Sequence, residues 1–284
     1  MAFLNNLMDS EGNVVLQKFD GSTLPKQLSD DDNCTTLCFL DLETTGLDKK
    51  EHKIIELAIK SAAIDTETGL LVGIIDEYQS FQDPQESIDE KISQINGITN
   101  DMAKDQEIDW ELVHSIIEKA DIIVAHNAGF DRAFMDRYLP LSNEKVWACS
   151  VNEIDWLGRG FSSKAQEILC MWHGFHFESH RAMSDVDALI NLVTHKSYKS
   201  NTPIQELIDN AYKPAYKISA IGSPYDTKDA LKARGYSWNN DDKYWWNTFT
   251  LDEVEGEKRW LADRVYDGSF KGTVTELLIT GKYK

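Results

Sequence analysis

The chain is 284 residues long, enough for two folding units at about 150 residues each. Hydrophobic residues make up 42% and charged residues 27%, which supplies a core and excludes a wholly disordered protein. The net charge of −19 excludes a protein that holds nucleic acid over a uniformly basic surface.

Residues 1–35 are polar, with one apolar patch at Val14-Val15-Leu16 and an acidic cluster at Asp30, Asp31 and Asp32, and read as a lead-in with at most one strand. Its first residues lack a basic flank and a long apolar stretch, so no secretory signal is expected. Gln27-Leu28-Ser29-Asp30-Asp31 begins like a sliding-clamp peptide but lacks the apolar end that would fill a clamp pocket. Leu37-Cys38-Phe39-Leu40-Asp41-Leu42-Glu43 is a short apolar run closed by carboxylates and a Thr44-Thr45-Gly46 turn, which predicts a buried strand. Two further strands are expected over 54–62 and 73–81, joined through a Thr68-Gly69 turn. Helices follow around 85–94 and 109–119, a strand at 122–126, and helices over 131–138, 163–173 and 184–194. Strands first, then strands alternating with helices, predict a mixed sheet covered by helices over 36–196. Cys34, Cys38, Cys149 and Cys170 show no CxxC spacing and read as reduced thiols of a cytoplasmic protein. No apolar run is long enough to span a bilayer.

Pro203 and Pro214 mark residues 197–216 as a linker to a small C-terminal module over 217–284. The composition shifts there: residues 212–284 hold 12 Lys and Arg against 11 Asp and Glu, whereas 1–211 hold 17 against 37. The last 73 residues also hold 13 of the 29 aromatics. A capped helix is expected over 223–233, ended by Gly235, and then a hairpin of Tyr236–Trp238 with Tyr244–Trp246 across 239–242. This is an α+β module. Aromatics interleaved with Lys228, Lys232, Arg234 and Lys243 can stack on unpaired bases, or they can simply build the core of a small domain.

Three acidic blocks stand out. In an extended strand Asp41 and Glu43 point the same way, with Leu40 and Leu42 on the opposite, buried side. Two such carboxylates repel unless a cation lies between them, and hard oxygen ligands suit Mg²⁺ or Mn²⁺. Alone, the pair equally describes a solvated strand end. Ala125-His126-Asn127-Ala128-Gly129-Phe130-Asp131 places an acid at the start of a helix, where a plain N-cap is the alternative. His180-Arg181-Ala182-Met183-Ser184-Asp185 places a His five residues before an acid that opens another helix. Asp187 falls on a different helix face and is expected to be a surface acid. His126, His173, His176 and His195 are expected to be structural or solvated.

Over about residues 36–196 these blocks, in this order, resemble the three exonuclease motifs of the DnaQ-like DEDD family. Asp41-Leu42-Glu43-Thr44-Thr45-Gly46-Leu47 resembles the proofreading type of first motif, and Asn96-Gly97-Ile98-Thr99 a further family segment. His180, five residues before Asp185, resembles the DEDDh subtype; the Tyr subtype would need Tyr where Arg181 stands. The resemblance implies an RNase H-like α/β fold with a mixed five-stranded sheet flanked by helices. It implies a 3′→5′ exonuclease that releases nucleoside 5′-monophosphates with two Mg²⁺ ions, for which Mn²⁺ substitutes. Asp41 would bridge both ions, Glu43 and Asp185 would hold the nucleophile-side ion, and Asp131 the leaving-group ion. His180 would be the general base, since an imidazole titrates near neutrality. Thr44, Thr45 and Leu47 match positions whose backbone contacts the terminal nucleotide, and Ile98, Asn127 and Phe130 are placed with them as substrate-binding; Phe130 and Ile98 read equally well as core. The expected partner is a nucleic acid with a free 3′ end, single-stranded DNA above RNA, in repair or proofreading. An RNA-directed exoribonuclease of the same fold, an inactive nucleic-acid-binding protein, and recruitment of a replication or repair protein through the C-terminal module are the competing readings.

Overall fold

The computed structural model describes residues 8–26 and 33–284. The clamp-like stretch at 27–31 and the acidic cluster at 30–32 lie outside the described residues. The chain forms two units: residues up to Ala211 together with Tyr283 and Lys284, and Tyr212–Lys282.

In the first unit, β-branched and apolar runs without helical period form β2 (Cys34–Thr44), β3 (Ile54–Asp65) and β4 (Leu71–Phe81), an antiparallel meander; a short β1 (Gln17–Lys18) precedes them. β5 (Ile122–Ala125) and β6 (Val146–Cys149) add parallel strands beyond β2, giving the order β4-β3-β2-β5-β6. This is the mixed five-stranded sheet that the resemblance implies. β6 has only four residues and no alternation to announce it. β7 (Phe175–His176) pairs with β1 outside this sheet.

The helices are α1 (Glu90–Asn96), α2 (Asn100–Ala103), α3 (Trp110–Lys119), α4 (Ala128–Tyr138), α5 (Gln166–Trp172), α6 (Ala182–Val193) and α7 (Pro203–Ala211). The helix expected at 85–94 begins later, because Gln85 has a left-handed φ of 56° and Asp89 caps α1 through the Lys91 N–H. α4 begins at Ala128, so Asp131 lies in its first turn and is not the cap. The stretch expected to be a linker contains α7 instead. Pro203 opens this helix at a position where a missing N–H does no harm, and Ile204, Leu207 and Ala211 bury one face in the core.

The sheet separates two apolar layers. Leu37 and Phe39 of β2, with Ala58 and Ala62 of β3, pack under α5, α6 and α7. Cys38, Leu40 and Leu42, with Leu57 and Ile59, pack under α3 and α4. Along β3 every residue from Ile54 to Ile64 is buried, charged ones included.

The second unit is an antiparallel sheet of order β11-β8-β10-β9, built from β8 (Ala215–Ala220), β9 (Ser237–Asn239), β10 (Tyr244–Phe249) and β11 (Thr273–Leu277). The expected hairpin is present as β9 and β10. Its helix, α8 (Lys228–Ala233), is shorter than expected because Pro224 leads into a 3₁₀ turn at Tyr225–Thr227. α9 (Leu251–Arg264) has a capping box between Thr250 and Glu253 and no counterpart in the sequence reading. Tyr236 and Trp245 join Ile218, Leu231 and Leu261 in the core, so some of the aromatics are structural.

Candidate metal and active site

Alternation along β2 carries the face of Leu37 and Phe39 onward to Asp41 and Glu43, under α6. Regular pairing with β3 shifts register between Glu43 and Thr44, so the carboxylates stand where the ladder breaks. α6 supplies Asp185 from its first turn. Ligand oxygens of Asp41, Glu43 and Asp185 all lie within 4.8 Å of one another. Asp131 reaches the same neighbourhood from the other side of the sheet, on α4, and is buried.

The electrostatics record this crowding. Burial, then the charges of Asp131, Asp185 and Glu43, raise the Asp41 carboxyl well above the usual carboxylate range. Burial likewise raises Asp131, Asp185 and Glu43. The Asn96 amide, donating to Glu43 Oε2 at 3.1 Å, and the neighbouring His180 act in the opposite direction on Glu43. Four acids that cannot all ionise together are a poor phosphate site alone. An all-carboxylate donor set of this kind fits hard divalent cations such as Mg²⁺ or Mn²⁺. His180 is exposed and holds a left-handed φ of 63°, at the turn that leads into α6.

What fixes α6 was not visible in the sequence. Glu56 pairs with Glu43 across the β2–β3 ladder and is fully buried. It accepts hydrogen bonds from the Ala182 N–H at 3.1 Å, from Arg181 Nη2 at 3.3 Å and from Gln79 Nε2 at 2.6 Å. One turn of helix further, Lys60 of β3 pairs with Asp187. Asp187 is therefore not a surface acid but is buried, 5% exposed, because β3 offers it a buried ammonium. A Cβ at Gly21, where φ is +76°, would overlap the Asp187 carboxylate, so the lead-in closes over this pair. Gln166 Nε2 donates to the Asp185 carbonyl at 2.8 Å, and Lys49 Nζ to the Gly129 carbonyl at 2.6 Å, beside Asp131.

The expected substrate residues divide. Thr44 is buried and its hydroxyl donates to the Gly46 carbonyl at 2.8 Å. The Thr45 N–H is used within the loop, on the Lys53 carbonyl. Leu47 is 82% exposed and Asn127 is exposed, while Phe130 is half-buried against Phe134. Ile98 is fully buried with Ile55, Ile88 and Ala103, so its side chain has no face for substrate; it supports α1 and α2 from within. His126 bonds Ser150, and His173 and His195 pack into an aromatic group with Phe161 and Phe175. Burial pushes all three imidazoles down to about 4.

A sequence model of the exonuclease family matches residues 38–193. The PolC-type DNA polymerase III of Thermotoga maritima is 34% identical over 135 residues, covering 46% of this chain and 9% of the relative. That of Halalkalibacterium halodurans is 42% identical over 99 residues, 34% of this chain and 6% of the relative. The chain thus spans less than a tenth of the length of these relatives. Among solved structures, exonuclease X in complex with 5′ overhanging duplex DNA is 23% identical, with a TM-score of 0.42 over 61% of this chain and 98% of that one. The nuclease domain of 3′hExo, a DEDDh family member bound to rAMP, is 16% identical, with a TM-score of 0.43 over 58% and 92%.

Proposed function

Because the chain belongs to the exonuclease family, matched over residues 38–193, we propose that it removes nucleotides from the 3′ end of a nucleic acid strand and releases nucleoside 5′-monophosphates. The observation that supports this most directly is the convergence of Asp41, Glu43 and Asp185, with Asp131 close enough to raise Asp41. Asp41, Glu43, Asp131 and Asp185 would hold two divalent cations, Mg²⁺ or Mn²⁺, which when bound neutralise phosphate charge and activate water. His180, beside Glu43, accepts the proton of the attacking water; its exposed position lets it pass that proton to solvent. Glu56 and Lys60 hold α6 in place, and with it Asp185. The backbone around Thr44, Thr45 and Leu47, with Asn127 and Phe130, receives the terminal nucleotide.

DNA is favoured over RNA, and repair or proofreading over RNA turnover, because the matched relatives are DNA polymerases. The single strand is favoured because an unpaired end brings its last nucleotide to the carboxylates without first being separated from a partner strand. No helix among the described residues is long and apolar enough to cross a membrane.

The experiment is degradation of end-labelled single-stranded DNA, duplex DNA and RNA, with Mg²⁺ and with chelator. Mononucleotide release from the 3′ end of DNA is expected, lost in chelator and in Asp41→Ala or Asp185→Ala. Full activity of a folded Asp41→Ala protein would overturn the assignment.

A further inference from the structure

The sheet of the second unit has one face built as a core and one that is not. Tyr216, Ile218 and Ala220 of β8, with Trp245 and Phe249 of β10, belong to the apolar cluster that also takes in α8 and α9. By alternation and register, Lys217 and Ser219 of β8, Tyr244, Trp246 and Thr248 of β10 and Thr275 of β11 stand on the opposite face. The rings of Tyr244 and Trp246 are half-buried there, outside the core. The Lys217 ammonium lies 5.4 Å from the Tyr244 ring centre and 4.8 Å from that of Trp246, and it donates to the Tyr244 hydroxyl at 3.2 Å. No Asp or Glu occupies a strand position on this face, in a chain whose net charge is −19.

Two flat rings and one cation among hydroxyls, with no acid at a strand position, match the chemistry of an unpaired strand. Bases can stack on Tyr244 and Trp246 while a phosphate takes Lys217. The core of a protein-docking face is depleted in Lys and Ser, whereas this face carries Lys217 at its centre with Ser219 beside it. A duplex keeps its base faces stacked inside and offers none to these rings. Of the residues that looked suited to this from the sequence, Tyr244 and Trp246 stand on this face, whereas Trp238 packs on Trp245, Lys232 lies over Trp245, and Arg234 pairs with Glu257.

We infer that the face of Lys217, Tyr244 and Trp246 is a second nucleic-acid site, a stacking platform for single-stranded substrate carried by the second unit. The inference rests on the exonuclease reading only in taking the ligand to be the strand that is degraded. It is tested in the full chain carrying Asp41→Ala, by fluorescence anisotropy with a labelled single-stranded DNA of about 20 nucleotides in chelator. Trp246→Ala should weaken binding by about tenfold, the loss of one stacked base, and Trp246→Phe should restore most of it. Lys217→Gln, which leaves both rings in place, should weaken binding and lower the salt dependence by about one counterion. Affinity for a duplex of the same length should change little. Native affinity in folded Trp246→Ala and Lys217→Gln chains, judged by melting and near-ultraviolet circular dichroism, would overturn the proposal. If the native chain degraded no strand while these binding losses remained, the active-site reading would fall and this one would stand.

Discussion

At His180 the backbone and the chemistry can be separated. Its φ of 63° is a left-handed conformation that Asn tolerates and most other side chains do not. His180→Ala should lower kcat about 10²–10⁴-fold, the usual range for a lost general base, with little change in strand affinity. His180→Asn keeps the conformation without the base, so it should be as slow as Ala while melting like the native protein. Activity restored by Asn would mean that the turn, not the imidazole, matters. Asp41 and Glu43 were legible in the sequence because strand alternation ties them to Leu40 and Leu42 within one short segment. Glu56 was not, and Asn96 stood out only as part of a family segment, since their partners Arg181 and Glu43 lie 125 and 53 positions away and no local periodicity links them. Ile98 takes the core one of its two readings: a motif resemblance says that a residue matters, not which way its side chain points.

Among the elements, α6 bears the most on the site. It approaches β3 closely over the small residues Ala58 and Ala62, and polar pairs hold it on either side, Glu56 at its first turn and Lys60 beneath Asp187. Removing one partner of a buried pair strands the other charge. Lys60→Met should therefore lower stability by about 3–5 kcal/mol, read from denaturant unfolding, and weaken Mg²⁺ binding through Asp185 two residues away. The double variant Lys60→Met/Asp187→Leu should recover most of the stability, because neither charge is then orphaned. α6 was readable from Val186, Leu189, Ile190 and Val193, but its buried face is wider than that stripe and takes in Asp187. α7 shows the reverse: Ile204, Leu207, Ile208 and Ala211 have helical spacing, and Pro203, taken as the mark of a linker, opens the helix.

Across the whole molecule two sets of shifted groups give stability opposite dependences on pH. His126, His173 and His195 stay neutral in the fold down to about 4, so the unfolded chain binds more protons than the native one between about 6.5 and 4. Their contribution is fully present above 6.5 and is lost as pH falls through that window. The active-site carboxyls hold protons in the fold above the ordinary carboxylate range, Asp185 up to about 7 and Asp131 up to about 8. The unfolded chain has already released those protons, so stability without metal falls as pH rises toward 8. Chelated protein should thus change little between pH 4.5 and 6.5 and melt lower at pH 8. With saturating Mg²⁺ the carboxyls are ionised throughout, and the melting temperature should climb to about pH 6.5 and then level off. Melting curves in chelator and in Mg²⁺ at pH 5, 6.5 and 8 separate the profiles; an Mg²⁺ effect no larger at pH 8 than at pH 5 would contradict the account.

The order in which the sheet can close has a consequence for biosynthesis. β2, β3 and β4 are neighbours in sequence and joined by short turns, so the meander carrying Asp41 and Glu43 can assemble soon after it leaves the ribosome. The contacts that deliver Asp185 span 125 and 127 positions, from Glu56 to Arg181 and from Lys60 to Asp187. Until those late residues emerge, the nascent chain displays two acids on a strand and no complete site. A chain arrested before residue 181 lacks the contacts that bring Asp185 beside Asp41 and Glu43, so on the exonuclease reading it should be inactive until nearly the whole first unit has been translated.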